Sequence, residues 1–344
     1  MTPRINWKIP LFLFLATCLT TTFFRIEPNS ETILGYDTLH NLLLSICLSV
    51  AGAESAPKYW LKFGQLFWDA ILFSMALMFI LTCHELGHYI QSRRYRVQSS
   101  LPFFLPMPIG PFGTFGAVIA MDDEVPNSRA LFDIGISGPL AGLIPTLIFL
   151  YYGIQWSHIG PRQPCVFDFS DPLLFQWAVF WIFGHIPPDM TLHWHPVAFA
   201  AWVGLLLTAL NLMPFGQLDG GHIFYALLGR KSVFFVYCIF IAAIIAVIWF
   251  QLWHWSLLLV LIMLIGIEHP PTANDAMRLT FFRRCLGWAT LLFVFIGFTP
   301  APLNPHDFDP SDKPIWYCMD WYCVHGWHCV HGIVVQRLPL TFVV

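Results

Sequence analysis

Residues 80–96 read ILTCHELGHYIQSRRYR, placing two histidines and a glutamate inside one of the most apolar parts of the chain, with arginines only afterwards. A charged side chain at the centre of a hydrocarbon span costs roughly 2.5–3.5 kcal/mol on insertion scales, so an ionisable residue retained there is a functional candidate. His84 and His88 are four apart. On a helix that spacing stacks them one turn apart on one face, where two imidazoles can ligate one metal ion. Glu85 between them completes the pattern H-E-x-x-H, whose histidines suit zinc and whose glutamate suits a general base. Gly87 is expected to leave space beside the metal. The bland alternative is a polar kink where a span meets its cytoplasmic end.

The rest of the chain sets the class. Of its 344 residues 57% are hydrophobic and 11% charged, against roughly 45–50% and about 25% in soluble domains. The formal net charge of −3 points to no nucleic-acid partner. The expected fold is an all-α polytopic membrane protein in contact with the lipid bilayer. Hydropathy suggests about seven transmembrane helices, at residues 9–24, 67–90, 131–152, 197–213, 233–250, 254–267 and 286–298. Segments 39–51 and 173–183 are apolar but too short to span comfortably. The first span resembles a signal peptide, but FFRIEPNSE follows it in place of a small-residue cleavage site, so it is read as retained. With the N-terminus inside, eleven of the 17 Lys and Arg fall on the cytoplasmic side and six outside, the bias that membrane insertion favours.

A catalytic zinc site commonly has three protein ligands and one open position. Asp69 lies at the wrong end of its span, Asp133 suits a helix N-terminus, and Glu268 marks the end of the sixth span. Asp219, in ALNLMPFGQLDGGHIF, lies just past the fourth span on the cytoplasmic side. Pro214, Gly216, Gly220 and Gly221 are expected to break the helix there and let the carboxylate turn inward. Asp219 is therefore the chosen third ligand and His222 the reserve.

At this point the chain resembles the site-2 proteases, zinc metalloproteases that cut transmembrane substrates within the membrane. Besides HELGH at 84–88, NLMPFGQLDG at 211–220 fits the family's Asn-x-x-Pro…Leu-Asp-Gly motif, GTFGAV at 113–118 its re-entrant loop, and SGPLAG at 137–142 the start of its third core span. HPPT at 269–272 is similar to the bacterial and plastid branch. The resemblance covers about residues 65–303. It implies one catalytic Zn2+ held by His84, His88 and Asp219, with Glu85 as the base and Asn211 assisting at the substrate carbonyl. It also implies a membrane-protein substrate, single-pass or otherwise, and a bacterial inner membrane or, alternatively, a plastid membrane. The chain is expected to be a minimal member without PDZ or CBS domains. It then divides into residues 1–64, a first span and outer segment, 65–303, the membrane core, and 304–344, a Cys- and His-rich tail.

A transmembrane helix hides its carbonyls, and exposed backbone is intolerable in lipid. GPFGTFGAVIAM, at 110–121, combines glycines with β-favouring residues and suggests a re-entrant β-hairpin near the active site. Gly113, Thr114, Phe115 and Gly116 are the candidate substrate-binding residues, pairing with an unwound substrate by strand addition. In the tail, Cys318, Cys323 and Cys329 alternate with His325, His328 and His331 without the C-x-x-C pairs of a zinc module. Two readings from other classes are a metal transporter, for which the outer halves of the spans offer almost no ligands, and a catalytically silent scaffold, for which no motif residue is missing. Substrate identity and oligomeric state are not encoded in these motifs. Deleting residues 306–344 is expected to leave zinc content, and the cleavage implied by the resemblance, largely intact in purified protein. A folded, zinc-loaded truncation that no longer cleaves overturns this.

Overall fold

The structure, a computed structural model, describes residues 7–23, 36–50, 52, 56–108, 112–121, 125–161, 167–168, 170–187, 190–275, 277–300, 302 and 304–305. The tail cysteines and histidines lie outside the described residues. Helices dominate: α1 (Lys8–Phe23), α2 (Tyr36–Val50), α3 (Ala56–Arg94), α4 (Ser128–Trp156), α5 (Leu173–Phe183), α6 (Pro196–Asn211), α7 (Asp219–Leu228), α8 (Ser232–Trp249), α9 (Ser256–Ile265) and α10 (Phe281–Gly297). Among the described residues, three short antiparallel pairs join them: β1 (Phe103–Pro106) with β2 (Thr114–Val118), β3 (His158–Pro161) with β5 (Met190–His193), and β4 (Phe167–Asp168) with β6 (Asn304–Pro305).

The core is built around α6. Every residue from Val197 to Leu206 is buried, the pattern of a helix that is apolar on all sides and enclosed by others. It opens with a proline in its first turn and a capping His195, a position where the missing N–H of proline costs nothing. Phe73 and Leu77 of α3 and Leu131 and Phe132 of α4 pack into the same cluster, with Phe73 stacked on Phe199 at 5.1 Å. Asn127 caps α4 by accepting the N–H of Ala130 at 2.9 Å.

The β1–β2 hairpin lies along this core. Phe112, near its tip, meets Phe199 and Trp202 at ring-centroid distances of 6.3 and 6.0 Å, and Phe104 meets Phe14 of α1 at 5.1 Å. Phe199 and Asn211 are twelve residues apart on α6, about 18 Å at 1.5 Å per residue. The hairpin tip therefore sits well down α6 from its Asn211 end.

Among the described residues, three helices are long and apolar enough to cross a membrane: Ala56–Arg94, Ser128–Trp156 and the continuous stretch Asp219–Trp249, which joins α7 and α8 through a 3-10 turn. This differs from the seven spans expected. Segments 9–24, 197–213 and 254–267 form helices of 16, 16 and 10 residues. Those are about 24, 24 and 15 Å long, short of a hydrocarbon core of about 30 Å. The segment at 67–90 is instead the middle of a 39-residue helix, which continues unbroken through residues 64 and 65 where the domain reading set a boundary. Only 22% of the most apolar stretch of Asp219–Trp249 is buried, so most of its apolar surface is left facing outward.

Asp133 is also differently employed. It lies beyond the first turn of α4 and accepts two bonds from Arg283 of α10, both at 2.8 Å, and one from the Tyr95 hydroxyl. The ends of α3, α4 and α10 are thereby tied together. This fork of two N–H groups on a carboxylate is the strong form of ion pair. Asp133→Asn is expected to cost about 1.5–3 kcal/mol, read as a lower thermal midpoint in detergent; an unchanged midpoint refutes the tie.

Candidate metal centre and cleft

α3 delivers His84 and His88 from one face, and both are buried, as is Glu85 between them. Asp219 is the first residue of α7, where an acid complements the positive end of the helix. The expected helix break is confined to residues 212–218. Gly220 and Gly221 do not break the helix but lie inside α7. A Cβ at Gly220 would strike the backbone of Leu212 and Met213, and one at Gly221 the backbone of Phe215 and Gly216. These glycines let the first turn of α7 fold back tightly on the preceding turn, which is what aims the Asp219 carboxylate.

The three side chains converge. Nε2 of His84 lies 3.1 Å from Oδ2 of Asp219, Nε2 of His88 lies 3.1 Å from Oδ1, and the two Nε2 atoms are 3.2 Å apart. Donor atoms from all three residues fall within 4.8 Å of one another. Ligands bound at about 2.0–2.1 Å around a tetrahedral zinc-sized ion stand about 3.3 Å apart, so these separations fit such an ion. The protonation chemistry agrees. Nδ1 of His88 donates to the Ile134 carbonyl at 2.8 Å, so in the neutral ring Nε2 carries a lone pair. That lone pair faces a carboxylate oxygen and a second imidazole nitrogen, an arrangement that a cation between them relieves.

α4 makes the room. A Cβ at Gly138 would collide with the imidazole of His88, and one at Gly142 would come within 3.0 Å of Cβ of His84. The glycines are four apart, as the histidines are, so one turn of α4 matches one turn of α3. Gly87 does not border the metal group as expected. A Cβ there would clash with Ser137 and Ala141 of α4, so its role is to let the two helices approach.

The group opens on a cleft of about 140 Å³, polar enough and roomy enough to hold water beside it. Glu85, Asn211 and His222 line it as well, bringing the sequence candidates from two separate motifs together. Asp69 and Glu268 stay away. Asp69 is fifteen residues from His84 on the same helix, about 22 Å, and Glu268 accepts the Tyr237 hydroxyl at 2.7 Å. Gly113, Thr114, Phe115 and Gly116 are not among the lining residues. Gly113 is pressed against Thr20 and Thr21 of α1, Thr114 is buried and donates to the Leu105 carbonyl at 3.0 Å, and Phe115 is exposed. The hairpin meets the cleft farther along, through Ala117, Val118, Ile119 and Met121.

His269 entered the sequence reading only as the first residue of HPPT, with no role assigned. Nδ1 of His222 lies 2.6 Å from its Nε2, and Tyr225 stacks on it at 4.9 Å. Burial pushes His269 down to about 4, against the opposing pulls of the Pro270 carbonyl and Asp275. A contact across 47 residues leaves no local signal; the glycine pair on α4 did, through its matching spacing.

The model for peptidase family M50 matches residues 72–251. "Probable zinc metalloprotease EGY1, chloroplastic" of Oryza sativa subsp. japonica is 31% identical over 160 residues, 44% of this chain and 27% of the relative. "Probable zinc metalloprotease EGY2, chloroplastic" of Oryza sativa subsp. indica is 30% identical over 174 residues, 48% of this chain and 31% of the relative. "Probable zinc metallopeptidase EGY3, chloroplastic" of Arabidopsis thaliana is 27% identical over 243 residues, 62% of this chain and 42% of the relative. The chain spans less than a third of the length of the first two. No solved structure matches. The names of these relatives place them in the chloroplast, so the expected bacterial inner membrane finds no support.

Gly138→Ala is expected to weaken divalent-metal binding about 10–100-fold, the usual effect of disturbing what orients a ligand, with competition against a chromophoric chelator as the measurement. Unchanged affinity in a folded variant refutes the matched-glycine account.

Proposed function

Because the family model covers more than half of it, the chain belongs to peptidase family M50, and from that premise we propose that it is a zinc-dependent intramembrane endopeptidase. The observation that carries the proposal is the convergence of His84, His88 and Asp219 beside Glu85. His84, His88 and Asp219 hold one zinc ion, a donor set of two imidazoles and a carboxylate that leaves a coordination position open. When bound, the ion supplies Lewis acidity and brings the pKa of water toward neutral.

The protein's own groups do the rest. Glu85 takes a proton from the attacking water and returns it to the leaving amine, the two halves of general base and acid work. The Asn211 amide donates to the carbonyl oxygen as negative charge develops there. Burial of Glu85, His84 and His88 strengthens these contacts, because charges interact more strongly where water is scarce.

The substrate in this reading is a transmembrane segment of a membrane protein, unwound at the cleft. The β2 strand supports it: among the described residues it pairs only with β1, and its end at Ala117 and Val118 borders the cleft. An extended peptide laid there replaces its lost helical bonds by strand addition. The packing of Phe112 deep along α6 supports a hairpin that dips into the membrane. Gly113, Thr114, Phe115 and Gly116 then shape the hairpin rather than touch the scissile bond. The three long apolar helices support a membrane protein, with residues 65–303 as the proposed working core. The chloroplastic relatives favour a plastid membrane.

Two measurements test the function together. His84→Ala, His88→Ala and Asp219→Ala are each expected to lose zinc, measured as metal per protein, and cleavage with it. Glu85→Gln is expected to keep zinc and lose about 10²–10⁴-fold in cleavage of a membrane-embedded peptide. Undiminished zinc in the ligand variants sinks the site, and near-normal cleavage by Glu85→Gln removes the base. Zinc flux into vesicles that the histidine variants abolish favours a transporter instead.

A further inference from the structure

His222 lines the cleft outside the converging metal group, and a chain of hydrogen bonds fixes its protons. The chain starts at the Pro270 carbonyl, 2.5 Å from Nδ1 of His269. A carbonyl oxygen only accepts, so Nδ1 of His269 carries the hydrogen. In the neutral ring Nε2 is then a lone pair, and the atom 2.6 Å away from it, Nδ1 of His222, must donate. This leaves Nε2 of His222 unprotonated, an acceptor in the ring that borders the cleft.

The anchor of this chain is held from several sides. Tyr225 of α7 stacks on His269 with an interplanar angle of 29°, and its hydroxyl donates to Asp275 at 2.8 Å. Asp275 also accepts the Thr272 hydroxyl at 2.7 Å and its N–H at 3.2 Å. The Ile267 carbonyl accepts from Gly216 at 2.9 Å, and Ala273 donates to the Val125 carbonyl at 3.1 Å. The segment from 267 to 275 is thus pinned to the turn before α7 and to the start of α4, and His269 has a fixed place.

An unwound transmembrane peptide brings N–H groups that have lost their helical partners, and an unpaired one in apolar surroundings is costly. In the proposed mechanism Asp219 is committed to the metal and Glu85 to the proton. We propose that His222 is a substrate-binding residue whose Nε2 accepts a backbone N–H of the unwound peptide near the scissile bond, and that His269 is the positioning residue that holds it in the accepting tautomer. This deepens the protease reading and rests on it for the identity of the donor.

The test uses zinc-loaded full-length protein in lipid nanodiscs. With ¹⁵N-labelled histidine, the His222 signals, identified by their loss in His222→Gln, are expected to show a protonated Nδ1 and a bare Nε2. In His269→Leu they should move toward the other tautomer. Kinetically, His222→Ala and His269→Leu are expected to raise KM about tenfold or more while kcat changes far less, the mark of lost ground-state binding. His269→Gln, whose amide oxygen can accept from His222, should recover most of that loss, and zinc content should stay at one per chain throughout. A wild-type His222 protonated at Nε2 overturns the proposal. So does an unchanged KM in a folded His222→Ala, or zinc lost from either variant, which makes His222 a ligand. If the wild type binds zinc but cleaves no transmembrane peptide, the protease reading and the assigned donor fail together, while the ¹⁵N spectrum still decides the tautomer.

Discussion

Two imidazoles and a carboxylate buried among apolar helices, with a second, partly buried carboxylate beside them, are expensive unless each finds a partner, and the packing around them is arranged to provide it. α3 and α4 approach closely because Gly87, Gly138 and Gly142 carry no side chain where the helices and the histidine rings meet. The Ile134 carbonyl can then reach His88, and Asp219 can meet both rings from a third helix. Larger residues at any of these glycines would push the helices apart and leave the polar groups unpaired. The close α3–α4 contact is therefore the constraint on which the site depends.

The remaining elements carry that contact outward. Arg283 and Tyr95 bind Asp133, the residue before Ile134, so the carbonyl that orients His88 lies next to a three-way tie between helix ends. The buried α6 holds the middle of the bundle and brings Asn211 to the cleft at its last residue. On the other wall the hairpin runs from the cleft to Phe199, so one strand connects the reacting groups with the interior of the bundle. A peptide lying along it would gain backbone partners as it leaves its own helix.

The outer surface answers a different solvent. Leu257, Leu264, Phe281 and Phe282 are all more than two-thirds exposed, and α8 turns most of its apolar surface away from the protein. In water such continuous apolar surface would drive association; facing hydrocarbon it costs nothing. Polar groups sit inside and apolar groups outside because the only dry, partner-rich place for a carboxylate in such a chain is its own centre.

The sequence by itself determined the residue chemistry and the local periodicities. Spacing of four makes His84 and His88 neighbours on any helix, continuous hydropathy marks the long helices α3 and α4, and the glycine and β-branched run at 113–118 makes a strand. The pairing of HELGH with the later LDG motif was legible too, because both patterns are local. Span count was less so: length in sequence does not tell whether a 16-residue apolar helix crosses the bilayer or is wrapped by its neighbours, as α6 is. Tertiary structure alone decided which groups meet. It put Gly87 against α4 rather than the metal, Asp133 against Arg283, residues 117–121 rather than 113–116 at the cleft, and His269 on His222. Each of these is a contact between segments far apart in the chain, set by how helices pack and not by any periodicity within one of them.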